Sequence, residues 1–153
     1  MNIKNKAHLI IAIFIPLAVG VLSSLLSGSM AYSAFNKPSF SPPSYLFPIV
    51  WTVLYILMGI SSYIIYSSNS PDKRKALTTY AIQLFFNFFW SILFFGLSQY
   101  LLAFVWLILL IVLIVVMIYQ FYQIQPVAAY LQIPYLLWCL FAAYLNFTIY
   151  MLN

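Results

Sequence analysis

Gln83, Asn87, Trp90 with Ser91, and Phe94 recur at three- and four-residue steps, a spacing that puts them on one face of a helix. Trp51, Tyr55, Met58 and Gly59 do the same upstream, and Pro134, Trp138, Ala142 and Asn146 follow at every fourth position near the C-terminus. Aromatic rings stack on flat apolar molecules, while amides and indole N–H groups hold a polar edge. The three stripes therefore suit non-covalent binding of a large planar ligand. The reactive chemistry they add is electron transfer through indoles, with Trp51 and Trp138 as the redox candidates. Acid–base chemistry lacks its groups, because the chain has one histidine (His8), one cysteine (Cys139), one acid (Asp72) and no glutamate. No His/Cys/carboxylate metal site can be assembled from that set, and no cofactor is required. A catalytic triad would depend on His8 and Asp72, both at the edges of apolar runs. Cys139, inside such a run, reads as an inert small hydrophobe.

The elements that carry these stripes follow from composition. Of 153 residues, 66% are hydrophobic and 5% charged, against about 25% charged in a soluble domain. Water cannot be the solvent of this chain, so soluble enzymes and nucleic-acid binders are excluded and the lipid bilayer is the first partner. About 20 apolar residues make one transmembrane helix, and the apolar runs predict five, at residues 8–27, 45–67, 76–97, 101–122 and 127–150. The expected fold is a single all-α integral membrane domain over residues 1–153, a five-helix bundle. The runs are continuously apolar, whereas barrel strands alternate with period two. A cleavable signal peptide competes for the first run, but its length and the four spans behind it favour a retained helix. Lys4, Lys6, Lys73, Arg74 and Lys75 fall on one side and only Lys37 on the other. The positive-inside rule then puts the N-terminus in the cytoplasm and the C-terminus outside.

Polar and aromatic residues away from the interfaces are the informative ones. Tyr100, Tyr119, Tyr122, Tyr150 and Trp106 fit an interfacial belt. Gly20, Ser24 and Gly28 form a small-residue row for close helix approach, and Pro16 and Pro48 bend or begin helices. Packing alone accounts for any one stripe, but three of them converge on the outer half of the membrane. The loop at 28–44 lies on that same face, with Tyr32, Phe35, Lys37 and Phe40 stiffened by Pro38, Pro42 and Pro43. Loops beyond about 12–15 residues are usually functional or disordered, and this one is expected to act as a lid. A haem-like ligand would be held by stacking, since His8 lies on the opposite side. No span contains an ionisable Lys, Arg, Asp or Glu, which argues against proton-coupled exchangers, voltage sensors and retinal proteins.

The segments Lys37-Pro38-Ser39-Phe40-Ser41-Pro42-Pro43, Phe47, Val50-Trp51, Leu54-Tyr55 and Met58-Gly59 resemble the first-loop and second-helix signature of the translocator protein family. Its members are also called tryptophan-rich sensory proteins or peripheral benzodiazepine receptors. Gln83, Asn87, Trp90, Phe94-Phe95, Pro134-Tyr135, Trp138, Phe141-Ala142 and Tyr144-Leu145-Asn146 continue the resemblance in the family's order, from about Gly28 to the C-terminus. The resemblance implies a five-helix bundle, often a homodimer, that binds porphyrins such as protoporphyrin IX and benzodiazepine-type or isoquinoline carboxamide ligands beneath the first loop. Carried over motif by motif, it implies ligand contacts at Tyr32, Trp51, Tyr55, Asn87, Trp90, Ser91, Trp138 and Ala142. Phe40 and Tyr45 stand where the family often has Trp. No Lys or Arg follows Lys75, so cholesterol binding is not implied, and a bacterial-type member in the cell membrane is the better fit.

Three readings stay open from the sequence: a tetrapyrrole receptor that senses or moves porphyrins, a light- and oxygen-dependent porphyrin-degrading protein using Trp51 and Trp138, and a non-catalytic scaffold whose stripes are dimer interfaces.

Overall fold

The computed structural model describes residues 3–27, 43 and 45–153. The expected lid at 28–44, apart from Pro43, lies outside the described residues, and with it Tyr32, Phe35, Lys37, Phe40 and Gly28. Among the described residues six α-helices follow one another: α1 Ile3–Leu26, α2 Leu46–Tyr66, α3 Lys73–Ser91, α4 Tyr100–Ile124, α5 Pro126–Leu131 and α6 Ile133–Leu152, with a π-helical turn Ile92–Gly96 continuing α3. At 1.5 Å per residue, a hydrocarbon core of about 30 Å needs about 20 residues. Five stretches meet that length and are apolar enough to cross a membrane: Asn5–Leu26, Leu46–Tyr66, Lys73–Gly96, Tyr100–Ile124 and Pro126–Leu152. No strand occurs among the described residues. The protein is the all-helical, five-span membrane protein that its composition demands.

Burial shows the bilayer as solvent. Along α4, Ala103, Leu107, Leu110, Ile114, Met117 and Phe121 are buried, spaced alternately by four and three, which is a helix seam. Val105, Ile108, Leu109, Val112, Val115 and Val116 on its other faces are exposed. In water such a surface would drive aggregation; in lipid it is matched to its surroundings. The exposed Ile10, Ile11, Phe14, Ile15, Leu22 and Leu25 of α1 read the same way.

Without a hydrophobic drive between helices in lipid, close packing and interhelical hydrogen bonds hold the bundle. α1 lies on α2 and α3, α4 packs against α3, α5 and α6, and α2 packs against α5. The approach of α1 to α2 depends on Gly59, where an added Cβ would stand 2.5 Å from the Ile13 Cα and 2.7 Å from the Ala12 carbonyl oxygen. Gly20 does the same for the ring of Tyr55. The contacting small residues of α1 differ from the row expected above. Ser23 and Ser27 are buried and Ser24 is exposed, because the α1 face that starts at Gly20 passes through positions 23 and 27. Ser23 Oγ donates to the Phe88 carbonyl at 2.6 Å, one turn before the π segment.

Two departures from plain helix shape the spans. The π turn closes with the Leu97 N–H on the Ile92 carbonyl at 2.9 Å, and Ser98 follows in the left-handed region at φ 53°. The fifth span is broken between Leu131 and Ile133. Pro134 has no N–H to give and its ring crowds the carbonyl four residues back, so one helix ends and another begins with proline in its first turn. Ser61 Oγ fastens α5 to α2 by donating to the Ala128 carbonyl at 2.7 Å.

Candidate functional site

The backbone of α6 stays apart from those of α2 and α3, and long side chains span the space between them. Tyr55 of α2 donates its hydroxyl to Asn87 Oδ1 at 2.7 Å. Asn87 Nδ2 donates to the Tyr135 hydroxyl oxygen at 3.0 Å, and Tyr135 donates in turn to Gln83 Oε1 at 2.7 Å. All four residues are buried. Each bond polarises the next in a low-dielectric interior, so the relay ties three helices together with a single direction of donation. At its end Gln83 Nε2 is buried with no partner among the described residues.

Aromatic rings wall this relay. Trp51 stacks on Tyr55 with centroids 5.5 Å apart and meets Tyr135 edge-on at 6.2 Å. Nearer the other end of α3, Trp90 Nε1 donates to Asn146 Oδ1 at 3.1 Å, and Asn146 Nδ2 donates to the Tyr100 carbonyl at 2.9 Å. Trp90 also stacks on Phe94 at 5.3 Å. Trp138 of α6 packs against Phe47 of α2 at 5.7 Å and Phe141 at 5.5 Å. Its Nε1 is buried and has no partner among the described residues. Between α2 and α6 lies an open groove of about 470 Å³, lined by aliphatic residues such as Val50, Val53, Leu54 and Leu137, with Pro134 and the ring of Trp138.

The structure thus sorts the candidate residues into two groups and several single positions. Trp51, Tyr55 and Asn87 form one group, with Tyr135 and Gln83. Trp90 belongs to the second network, with Asn146. Trp138 borders the groove and Ala142 is buried one turn beyond it. Ser91 is half-buried, and Tyr32 lies outside the described residues. Tyr55, Asn87 and Tyr135, and Trp90 with Asn146, meet one another within a single chain, while Gly59 of the α2 stripe faces α1 and Pro134 of the α6 stripe is exposed.

Sequence spacing missed three contributors. Tyr135, in the middle of the relay, lies one residue after the stripe that begins at Pro134. Tyr100, in the first turn of α4, lends its backbone carbonyl to Asn146, and Trp106, expected in the interfacial belt, stacks on Phe86 at 4.3 Å and donates to the Phe86 carbonyl at 2.7 Å. An indole N–H facing lipid would lose its hydrogen bond, and a neighbouring helix supplies one. Among the described residues no group of three or more His, Cys, Asp or Glu is placed to hold a metal.

An integral membrane protein of five spans, with indoles and phenols turned inward and bridged by side-chain amides, is a narrow class. The chain belongs to the TspO/MBR family, whose model matches residues 12–152. It is 39% identical to the tryptophan-rich protein TspO of Archaeoglobus fulgidus, over 97% of this chain and 99% of that one. It is 38% identical to the tryptophan-rich protein TspO of Chlorobaculum tepidum, over the same shares. With the translocator protein of Sus scrofa it shares 37% identity over 89% of this chain and 84% of the relative.

Proposed function

We propose that this protein is a membrane receptor for porphyrins such as protoporphyrin IX, acting in tetrapyrrole sensing or transport, and that benzodiazepine-type and isoquinoline carboxamide ligands share its site. The observation that carries the reading is a set of buried donors left over beside stacked rings: Gln83 Nε2 and Trp138 Nε1 have no partner among the described residues, while Trp51 lies on Tyr55. A buried donor without a partner costs about 1–3 kcal/mol. A flat aromatic ligand with acceptors on its rim recovers that cost and stacks on the indoles at the same time. The name "Tryptophan-rich sensory protein", carried by a Cereibacter sphaeroides relative 32% identical to this chain, agrees with a sensing role. Basic-residue counting supports a cytoplasmic N-terminus in a bacterial cell membrane.

Titration of protoporphyrin IX against the protein in lipid nanodiscs, read by tryptophan fluorescence, tests the receptor. Saturable quenching at one equivalent is expected, weakened in Trp138→Phe and in Asn87→Ala. Non-saturating quenching, or saturation that both variants leave unchanged, would remove the site from this interior.

A second reading rests on the ring chain Trp51, Tyr55 and Tyr135, which offers a path for an oxidising equivalent from an excited porphyrin. Under light and oxygen the bound porphyrin would then be degraded, with Trp51 and Trp138 as redox partners. The double variant Trp51→Phe/Trp138→Phe separates this from ordinary photobleaching: loss of porphyrin absorption at the wild-type rate would show that the tryptophans take no part.

A further inference from the structure

Away from the interior, at the end of the bundle that carries the basic cluster, α3 and the last residue of α2 border an open groove of about 730 Å³. Its mouth holds Lys73 and Arg74, and its floor runs along Leu77, Ala81 and Phe85. These three residues, four apart, occupy one face of α3. From Arg74 to Phe85 the helix advances eleven positions, about 16 Å at 1.5 Å per residue, which is about half of a 30 Å hydrocarbon core. The groove is one leaflet deep.

Its charge selects among lipids. Lys73 is fixed in place: Nζ donates to the Tyr66 carbonyl at 3.0 Å and the Ser68 carbonyl at 3.2 Å, and stands 5.4 Å over the Tyr66 ring. Arg74 is exposed. The chain has a single acid, Asp72, against Lys73, Arg74 and Lys75 in the same stretch, so the mouth keeps a net positive charge. The positive end of the α3 dipole adds to it. A zwitterionic headgroup would bring its own cation to this place, whereas an anionic one brings only the phosphodiester. We infer that the groove holds one anionic glycerophospholipid, its phosphodiester against Lys73 and Arg74 and one acyl chain along Leu77, Ala81 and Phe85.

Native mass spectrometry of the full chain, offered phosphatidylglycerol and phosphatidylcholine of the same acyl length in equal amounts, tests the site. One phosphatidylglycerol should be retained in preference to phosphatidylcholine. Arg74→Gln should lower that retention about five-fold, the usual worth of one basic residue at an anionic surface. Lys75→Gln, whose side chain does not line the groove, should leave it near the wild-type level, and Ala81→Trp should block both lipids by filling the floor. Equal retention of the two lipids by wild type would overturn the proposal. Equal losses in Arg74→Gln and Lys75→Gln would overturn it too, since they would show diffuse charge attraction. Displacement of the lipid by millimolar inorganic phosphate would do the same by showing that the acyl chain contributes nothing. Arg74 and Lys75 are both exposed, so their comparison decides the matter even if the Ala81 variant fails to fold.

Discussion

The hydroxyl of Tyr55 donates to the side-chain oxygen of Asn87 across 2.7 Å, joining α2 to α3 in the buried interior. Asn87 passes the connection to Tyr135 on α6, so this one amide serves two phenols on two other helices.

Removing the amide should therefore cost more than removing the Tyr55 hydroxyl, which makes one of its two bonds. Side-chain hydrogen bonds within membrane bundles average about 0.6 kcal/mol, with a maximum near 1.7. Tyr55→Phe is expected to destabilise by about that average, and Asn87→Leu by about 2 kcal/mol, since it strands the Tyr55 hydroxyl and takes the donor from the Tyr135 oxygen, which keeps its bond to Gln83. Unfolding of the reconstituted variants, closed as a double-mutant cycle, measures the coupling; additive losses would mean that the bond contributes nothing.

The two buried indoles should behave oppositely. Trp90 Nε1 is bonded to Asn146, while Trp138 Nε1 has no partner among the described residues. Trp90→Phe is expected to cost about 1 kcal/mol or more in the ligand-free protein, beyond the loss of ring area, by leaving the Asn146 oxygen unpaired. Trp138→Phe should lose ring area alone, yet weaken porphyrin binding about five-fold or more. Thermal melting with and without ligand reads both effects, and a Trp138 variant unstable by itself but unchanged in affinity would contradict the assignment.

Of the two glycines at the α1 and α2 contact, Gly59 should be the less tolerant. A methyl at Gly59 meets the backbone of Ile13 and Ala12, whereas one at Gly20 meets only the ring of Tyr55. Gly59→Ala should separate the helices at a cost of about 1–3 kcal/mol. Gly20→Ala should leave the bundle assembled but push Tyr55 off Asn87, shifting the Trp51 emission. Equal stability of the two variants, with unchanged emission, would argue against this packing.

Gln132 is fully buried at the break in the fifth span, and neither its Oε1 nor its Nε2 has a partner among the described residues. Gln132→Met removes two unpaired polar atoms at nearly constant volume and should raise stability by about 1 kcal/mol. A loss larger than about 2 kcal/mol would instead reveal partners for the amide.

Much of this was legible from one dimension. Charge scarcity demands a bilayer, continuous apolar runs demand helices, and the step of three or four from Gln83 to Phe94 marks the inward face of α3. What spacing cannot supply is the identity of a partner on another helix. Spacing therefore gives Tyr135 no role, and only the family resemblance names it, although it donates to Gln83. The choice between Ser23 and Ser24 depends on the phase of α1 against α3, fixed by the contact with the Phe88 carbonyl. The π turn adds one residue to a helical turn, which leaves no mark in hydropathy. Pro134 did announce the break in the fifth span, since proline disfavours helix in the residue before it; read only as part of a four-residue stripe, it hid that second meaning.

That break has a mechanical consequence. The fifth span consists of two rods meeting at Gln132, the short one clamped to α2 through Ser61 and Ala128, the long one touching α2 mainly through the rings of Phe47, Trp51, Tyr135 and Trp138. The two halves of one span are thus held to α2 in different ways, one by a hydrogen bond to the backbone and the other by ring contacts. A ligand that enters between α2 and α6 would exchange ring contacts for its own and leave the hydrogen-bonded half in place.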